Sequence, residues 1–253
     1  MPVTRFDFTA PSGHKLSARL HMPEQTPAHA ALFAHCFTCS KDILAARIIS
    51  QILSEHGFAV LRFDFTGLGM SEGEFSDTNF SSNIEDLIAA NDALADHFRS
   101  PDLLIGHSLG GAAVLAAAEQ LPDVTALVTI GAPADPAHIE HALGASVRQI
   151  EQDGEAEVLL AGRPFRVRQQ FLDDIRHSSL NGHIARLKKA LLVLHAPTDH
   201  TVGIENASHI FGAAKHPKSF IALHGADHLL SHKGDAQYAG RLIAAWAAHY
   251  LPE

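Results

Sequence analysis

Short apolar runs punctuate the chain. They fall at 30–35 (AALFAH), 58–64 (FAVLRFD), 102–107 (DLLIGH), 125–131 (TALVTIG), 190–196 (ALLVLHA) and 218–223 (KSFIAL). Each is too short for a helix and is flanked by turn residues, which suits strands of a parallel sheet covered on both faces. Between them the apolar spacing turns helical. Residues 40–56 bring Leu44, Ile48 and Ile52 onto one face, with Ser40 as N-cap. Residues 82–98 carry Ile84, Leu87, Ile88 and Leu94 behind a Ser82/Glu85 capping box, and 235–251 carries Leu242, Ile243, Trp246 and Tyr250. Alternating strands and helices predict a doubly wound α/β sheet. Two N-terminal runs of alternating pattern, 4–9 and 16–22, add an antiparallel hairpin at one edge and bring the sheet to eight strands.

The rhythm breaks once, between Gly131 and Ala190. A structureless loop of that length is out of character for a compact domain. Residues 136–188 are therefore read as a small lid insertion in a single domain covering 1–253. Helical stretches are expected around 136–152 and 168–187. Between them EVLLAGRPFRV (157–167) predicts a hairpin turning at Gly162-Arg163-Pro164.

Composition narrows the function classes. At 253 residues and 46% hydrophobic, the chain can bury one sizeable core. It has no apolar run long enough to cross a bilayer. MPVTRFDFTA lacks the basic start and apolar stretch of a signal peptide. With only two cysteines, this points to the cytoplasm, where a structural disulfide would be unusual. A net charge of −9 argues against nucleic acid as a partner. The 19 histidines, read mostly as surface residues, would carry the charge to about +10 when all are protonated, so surface charge should change sharply near pH 6.

The most informative stretch is LLIGHSLGGAAVLAAA (103–118): an apolar strand, Gly106-His107-Ser108-Leu109-Gly110, then an alanine-rich helix. This is G-x-S-x-G in its required strand–turn–helix context. It exposes Ser108 at the helix start and offers the Leu109 N–H to an oxyanion. An ordinary glycine-rich turn is the competing explanation, weakened by the partners that follow. A serine hydroxyl needs a base, and the base needs an orienting carboxylate. Asp199, in ALLVLHAPTDHTV, and His228, in SFIALHGADHLL, follow in the expected order, each just past a late strand. Asp227, His195, His200 and His224 are rivals, assigned to packing, surface or support; His224 is placed on a strand.

AHCFTCSKD (34–42) follows the third strand and should supply the second oxyanion donor, the backbone N–H of Phe37 or of Cys36. Its C-x-x-C spacing also fits a redox pair opening a helix. A zinc site would need further ligands that the sequence does not space suitably. Cys36 and Cys39 are read as buried packing groups, and no cofactor or metal is expected. In FDFTGLGMSEG (63–73) the glycines suit a tight loop that Asp64 would anchor by accepting backbone N–H groups, rather than a phosphate cradle. A partly covered apolar pocket is expected, with Leu109, Phe37, Val202, Leu229 and Phe171 as lining.

Taken together, AHCFTCSKD, LRFDFTGLGMSEG, NFSSNIEDL, IGHSLGGAAVL, IGAPADPAH, LAGRPFRV and HPKSFIALHGADHLL resemble the α/β-hydrolase superfamily across essentially the whole chain. More narrowly they resemble the hydrolase half of proteins that fuse an α/β-hydrolase to an OsmC-like domain. The resemblance implies the α/β-hydrolase fold and a serine esterase with Ser108, Asp199 and His228 as triad. It implies short acyl or aryl esters as substrates, and an OsmC-like domain as a partner in longer relatives. His35-Cys36 stands where such hydrolases have His-Gly, which leaves open the N–H that completes the oxyanion hole. A thioesterase with the same triad, an idle hydrolase scaffold serving as a partner domain, and a homo-oligomer stay open. Membrane association is not expected.

Overall fold

A computed structural model describes residues 2–160 and 162–251. Among them the strands are β1 (Val3–Thr9), β2 (Lys15–His21), β3 (His29–Ala34), β4 (Phe58–Phe63), β5 (Leu103–His107), β6 (Ala126–Ile130), β7 (Glu155–Leu160), β8 (Arg163–Arg168), β9 (Ala190–His195) and β10 (Lys218–Ala222). The helices are α1 (Leu44–Glu55), α2 (Phe80–His97), α3 (Leu109–Ala117), α4 (Glu140–Leu143), α5 (Ser146–Asp153), α6 (Gln169–His177), α7 (Asn181–Arg186), α8 (Glu205–Ala213) and α9 (Lys233–Tyr250). Eight strands form one sheet in the order β1-β2-β4-β3-β5-β6-β9-β10. The β1–β2 and β2–β4 pairs are antiparallel and the others parallel.

β3 shows why its sequence is apolar without interruption. Ala30, Leu32 and Ala34 pack into the cluster shared with α2, α3 and α8, while Ala31 and Phe33 pack into the one shared with α1 and α9. Both faces of the sheet are therefore covered. Each buried Leu or Phe contributes roughly 1.5–3 kcal/mol, so a polar residue anywhere along this strand is costly. Among the described residues no helix is long and apolar enough to cross a membrane.

Three local expectations change. Ser40 does not cap α1, which starts at Leu44 after Ile43. The Ser40 carbonyl instead accepts the Ile43 N–H in a preceding turn, and Ala45, Ile49 and Leu53 carry the fully buried face. α2 starts earlier than expected because Phe80 is buried at its first position, and Asn79 and Ser82 make the reciprocal capping box in place of Ser82 and Glu85. In the hairpin Leu160 pairs with Arg163, so Pro164 lies within β8 and not at the turn. A two-stranded ribbon has no third strand to demand an N–H from its outer edge, and so accepts a proline.

The segment between β6 and β9 packs onto the body of the molecule. Its Ile150, Val158, Val167, Phe171 and Leu172 are buried in the same cluster as α2 and α3. That contact brings the β7–β8 hairpin and α6 over the C-terminal ends of the parallel strands.

Candidate active site

Ser108 sits between β5 and α3 at φ 54° and ψ −124°. This is the left-handed side of backbone space, which a serine adopts only when its surroundings enforce it. The enforcement is steric. A Cβ on Gly106 would lie 2.3 Å from the Gly110 carbonyl, and one on Gly110 would lie 2.4 Å from the Ala34 carbonyl. Larger residues would push α3 away from the turn or from the end of β3. The Ser108 N–H is held at 2.8 Å by the Ile130 carbonyl.

Residues far apart in sequence meet here. His228 Nε2 lies 3.0 Å from Ser108 Oγ, and its Nδ1 lies 2.7 Å from Asp199 Oδ2. An ionised carboxylate only accepts, so Nδ1 carries the proton and Nε2 turns its lone pair toward the serine hydroxyl. The other Asp199 oxygen accepts the N–H groups of Thr201 at 2.8 Å and Val202 at 2.9 Å. Burial raises the Asp199 carboxyl, but the bonds from His228, Val202 and Thr201 outweigh it and hold it below its ordinary value. Asp199 therefore stays ionised as an orienting group.

Several supporting residues were not foreseen. Gly131, at φ +54°, leaves room behind the dyad, since a Cβ there would come 3.3 Å from both Asp199 Oδ2 and His228 Nδ1. His107, inside the serine motif, is buried and donates from Nε2 to the His228 carbonyl at 2.7 Å. The rival histidine His195 donates to the Val202 carbonyl at 2.7 Å, bracing the acid loop from below. Asp227 caps its own turn, accepting the Ser231 N–H at 2.9 Å. His200 and His224 are exposed, and His224 falls just after β10 and not on it.

The loop after β3 is held from both sides. His35, fully buried, donates from Nδ1 to the Cys36 carbonyl at 2.8 Å, and the Cys39 N–H reaches the same carbonyl at 3.1 Å. Carbonyl and N–H point in opposite directions across a trans peptide, so the Phe37 N–H faces away from His35. Among the described residues it meets no protein acceptor. The Leu109 N–H, first in α3, likewise has no helical acceptor. Downstream, Lys41 is buried and its Nζ lies 2.6 Å from Asp64 Oδ2, while its N–H lies 2.5 Å from Oδ1. Asp64 also accepts the Met70 N–H at 2.9 Å, which is the anchoring expected of it, although the lysine was not foreseen. Removing one member of such a buried pair strands a charge and costs about 3–5 kcal/mol, so neither residue tolerates the loss of the other.

Cys36 and Cys39 are not separate packing groups as expected: they form a disulfide, with their Cα atoms 5.3 Å apart. The Cys39-to-Cys36 backbone bond closes the turn and brings the two side chains within reach of each other. A tight apolar crevice lies behind this loop, lined by Phe37, Phe65, Leu68, Phe75, Leu109 and Ala113 among others. Of the expected lining, Phe37 and Leu109 are present and Phe171 stacks on Phe37 at 5.4 Å. Val202 is buried beside the acid and Leu229 is exposed, and neither lines the crevice. A larger open cleft, bordered by Glu119, Arg186 and Lys189, contains none of the site residues.

Burial sets a pH dependence of stability. It pushes His107 down to about 4, and pushes His21 down to about 4, aided by Arg62. His35 is lowered for the same reason. Above about pH 6.5 folded and unfolded chains both keep these rings neutral, and their full contribution is present. Between about 6.5 and 4 only the unfolded chain takes up the protons, so stability falls, by on the order of 3 kcal/mol for a ring as buried as His107. Asp86 opposes this, because burial raises its carboxyl to about 6 and its strain is relieved on acidification. The histidines prevail, and the melting temperature at pH 4.5 is expected to lie below that at 7.5. The His107→Gln variant, which keeps an N–H donor without titrating, should show a shallower slope. Equal melting temperatures at the two pH values would contradict the assignment.

The strand order, the mainly parallel sheet and a strained serine between strand and helix together define the α/β-hydrolase class. A family model described as serine aminopeptidase, S33, matches residues 28–152. The esterase domain of a Rhodothermus marinus protein is 48% identical, covers 99% of each chain and superposes with a TM-score of 0.81. A mouse protein named palmitoyl-protein thioesterase ABHD10, mitochondrial, is 26% identical over 81% of this chain and 70% of its own length. Est1E of Butyrivibrio proteoclasticus with ferulic acid bound shares the fold, at 20% identity, 97% and 98% coverage and a TM-score of 0.80. The chain belongs to the α/β-hydrolase family and is a hydrolase of that type.

Proposed function

We propose that this hydrolase cleaves carboxylic esters of short or medium acyl or aryl groups through an acyl-enzyme. The observation that carries the proposal is the unbroken hydrogen-bond chain from Ser108 through His228 to Asp199 at a strained turn. In the first step His228 takes the Ser108 proton as Oγ attacks the ester carbonyl. The Leu109 and Phe37 N–H groups receive the oxyanion, and imidazolium His228 returns the proton to the leaving alcohol. Water then attacks the acyl-enzyme with His228 again as base. The β7–β8 hairpin and α6 serve as a lid over this site.

The apolar crevice favours a small acyl or aryl group over a long chain, because Phe75 and Phe37, with Phe171 stacked on Phe37, close it off. A second activity, thioester cleavage, has support in the name of the mouse relative, and the same three residues would perform it. Matched oxygen esters and thioesters with butanoyl and hexadecanoyl chains separate the two. We expect kcat/KM to be higher on the oxygen esters and to fall about tenfold or more from butanoyl to hexadecanoyl. A preference for hexadecanoyl thioesters would move the assignment to a thioesterase. Failure of a fluorophosphonate to label Ser108 would leave an idle scaffold.

A further inference from the structure

The disulfide lies in the segment that presents one of the two oxyanion donors. Its ring encloses Phe37, whose N–H is that donor, and Thr38. Thr38 sits at φ 60°, a left-handed conformation that a β-branched residue adopts only under constraint. Its carbonyl accepts the guanidinium of Arg163, from β8. The Phe37 ring packs on Phe75 and Phe171. One short cross-link thus holds the donor, the strained threonine and the point where the β7–β8 hairpin touches the loop. The cysteines are not equally placed: Cys36 is 2% exposed, whereas Cys39 is half-buried and is the more accessible of the two.

We propose that Cys36–Cys39 is a thiol–disulfide exchange site for a dithiol reductant, and that its oxidation state sets the rate of the hydrolytic step. This rests on the serine-hydrolase mechanism proposed above. A thiolate of the dithiol attacks Cys39 Sγ, forming a mixed disulfide and releasing Cys36 as a thiolate that takes up a proton. The second thiol of the reductant then displaces Cys39, which is protonated in turn. Two electrons have passed to the protein's sulfur pair, and the reductant leaves as its own disulfide. Without the cross-link Thr38 relaxes toward negative φ and the turn bond from the Cys39 N–H opens, so the Cys36–Phe37 peptide keeps only the His35 bond and swings about it, taking the Phe37 N–H out of line. The fold survives, because His35 holds the loop on one side and the Lys41–Asp64 pair on the other. Oxidised enzyme is the active form, and reduction slows it reversibly.

The test is p-nitrophenyl butanoate turnover by air-oxidised and dithiothreitol-reduced enzyme, with the Ser108→Ala protein subtracted for thiolysis of the ester. Alkylation and mass measurement assign the redox state of the two cysteines. Reduction should lower kcat by about tenfold or more, since an oxyanion donor is displaced, with KM changed less than about threefold. Reoxidation should restore it. The Cys36→Ser/Cys39→Ser protein should stand at the reduced level and ignore dithiothreitol; if it does not fold, the reversible cycle of the wild type decides. Equal kcat in the two states, or alkylation of both cysteines without reductant, would overturn the proposal. If Ser108→Ala turns over as fast as wild type, the serine mechanism fails, and this inference with it. If Ser108→Ala is inactive and reduction has no effect, only the redox control fails.

Discussion

Replacing Ser108 with alanine is expected to lower ester turnover on the order of 10⁶-fold in kcat, as when the nucleophile of a serine triad is lost. The change deletes one hydroxyl and little else. Alanine carries the same Cβ, so the backbone at φ 54° is no more strained than before. The N–H bond to the Ile130 carbonyl is untouched, as is the packing of Gly106 against Gly110. Melting temperature should therefore stay close to wild type while turnover of a p-nitrophenyl ester disappears. Retention of even a tenth of wild-type kcat would mean that another group performs the attack, and the proposed mechanism would have to be abandoned.

Asp199→Asn should cost about 10⁴-fold in kcat with the fold intact. The reason lies in which oxygen is already occupied. The Thr201 and Val202 N–H groups both donate to Oδ1, and they would keep the amide oxygen of an asparagine in that place. The amide NH2 would then face His228 Nδ1, where the carboxylate now accepts at 2.7 Å. Two donors cannot share that bond, so the ring would move its proton to Nε2 and point it at Ser108. In that tautomer His228 cannot accept the serine proton. Steady-state kinetics beside a thermal melt would show the loss. An active Asp199→Asn protein would redirect attention to Asp227, although that carboxylate caps its own turn through Ser231.

Much of the framework is legible in the sequence. Each run read as a strand is one, because continuous apolar sequence over five or six residues has few other uses in a two-faced sheet. The serine turn was legible for a related reason: Gly106 and Gly110 are short-range demands of a tight strand-to-helix connection, and those demands are written locally. The order Ser108, Asp199, His228 also followed, since each residue lies next to a recognisable strand end. Capping was less legible. Asn79 and Ser82 take the box expected of Ser82 and Glu85, because the burial of Phe80 decides where α2 begins.

The sequence by itself determined the alternation of elements, the strained serine and the chain order of the three residues around it. All of these depend on neighbours a few positions apart. Tertiary structure alone decided that Lys41 should be buried against Asp64, that His107 should hold the His228 carbonyl and that Gly131 should leave room behind the dyad. It also joined Cys36 to Cys39, where the sequence offered only a spacing. A lysine or a histidine is written the same way whether it lies in solvent or in the core. Its role is set by which distant backbone closes over it, and local periodicity carries no record of that.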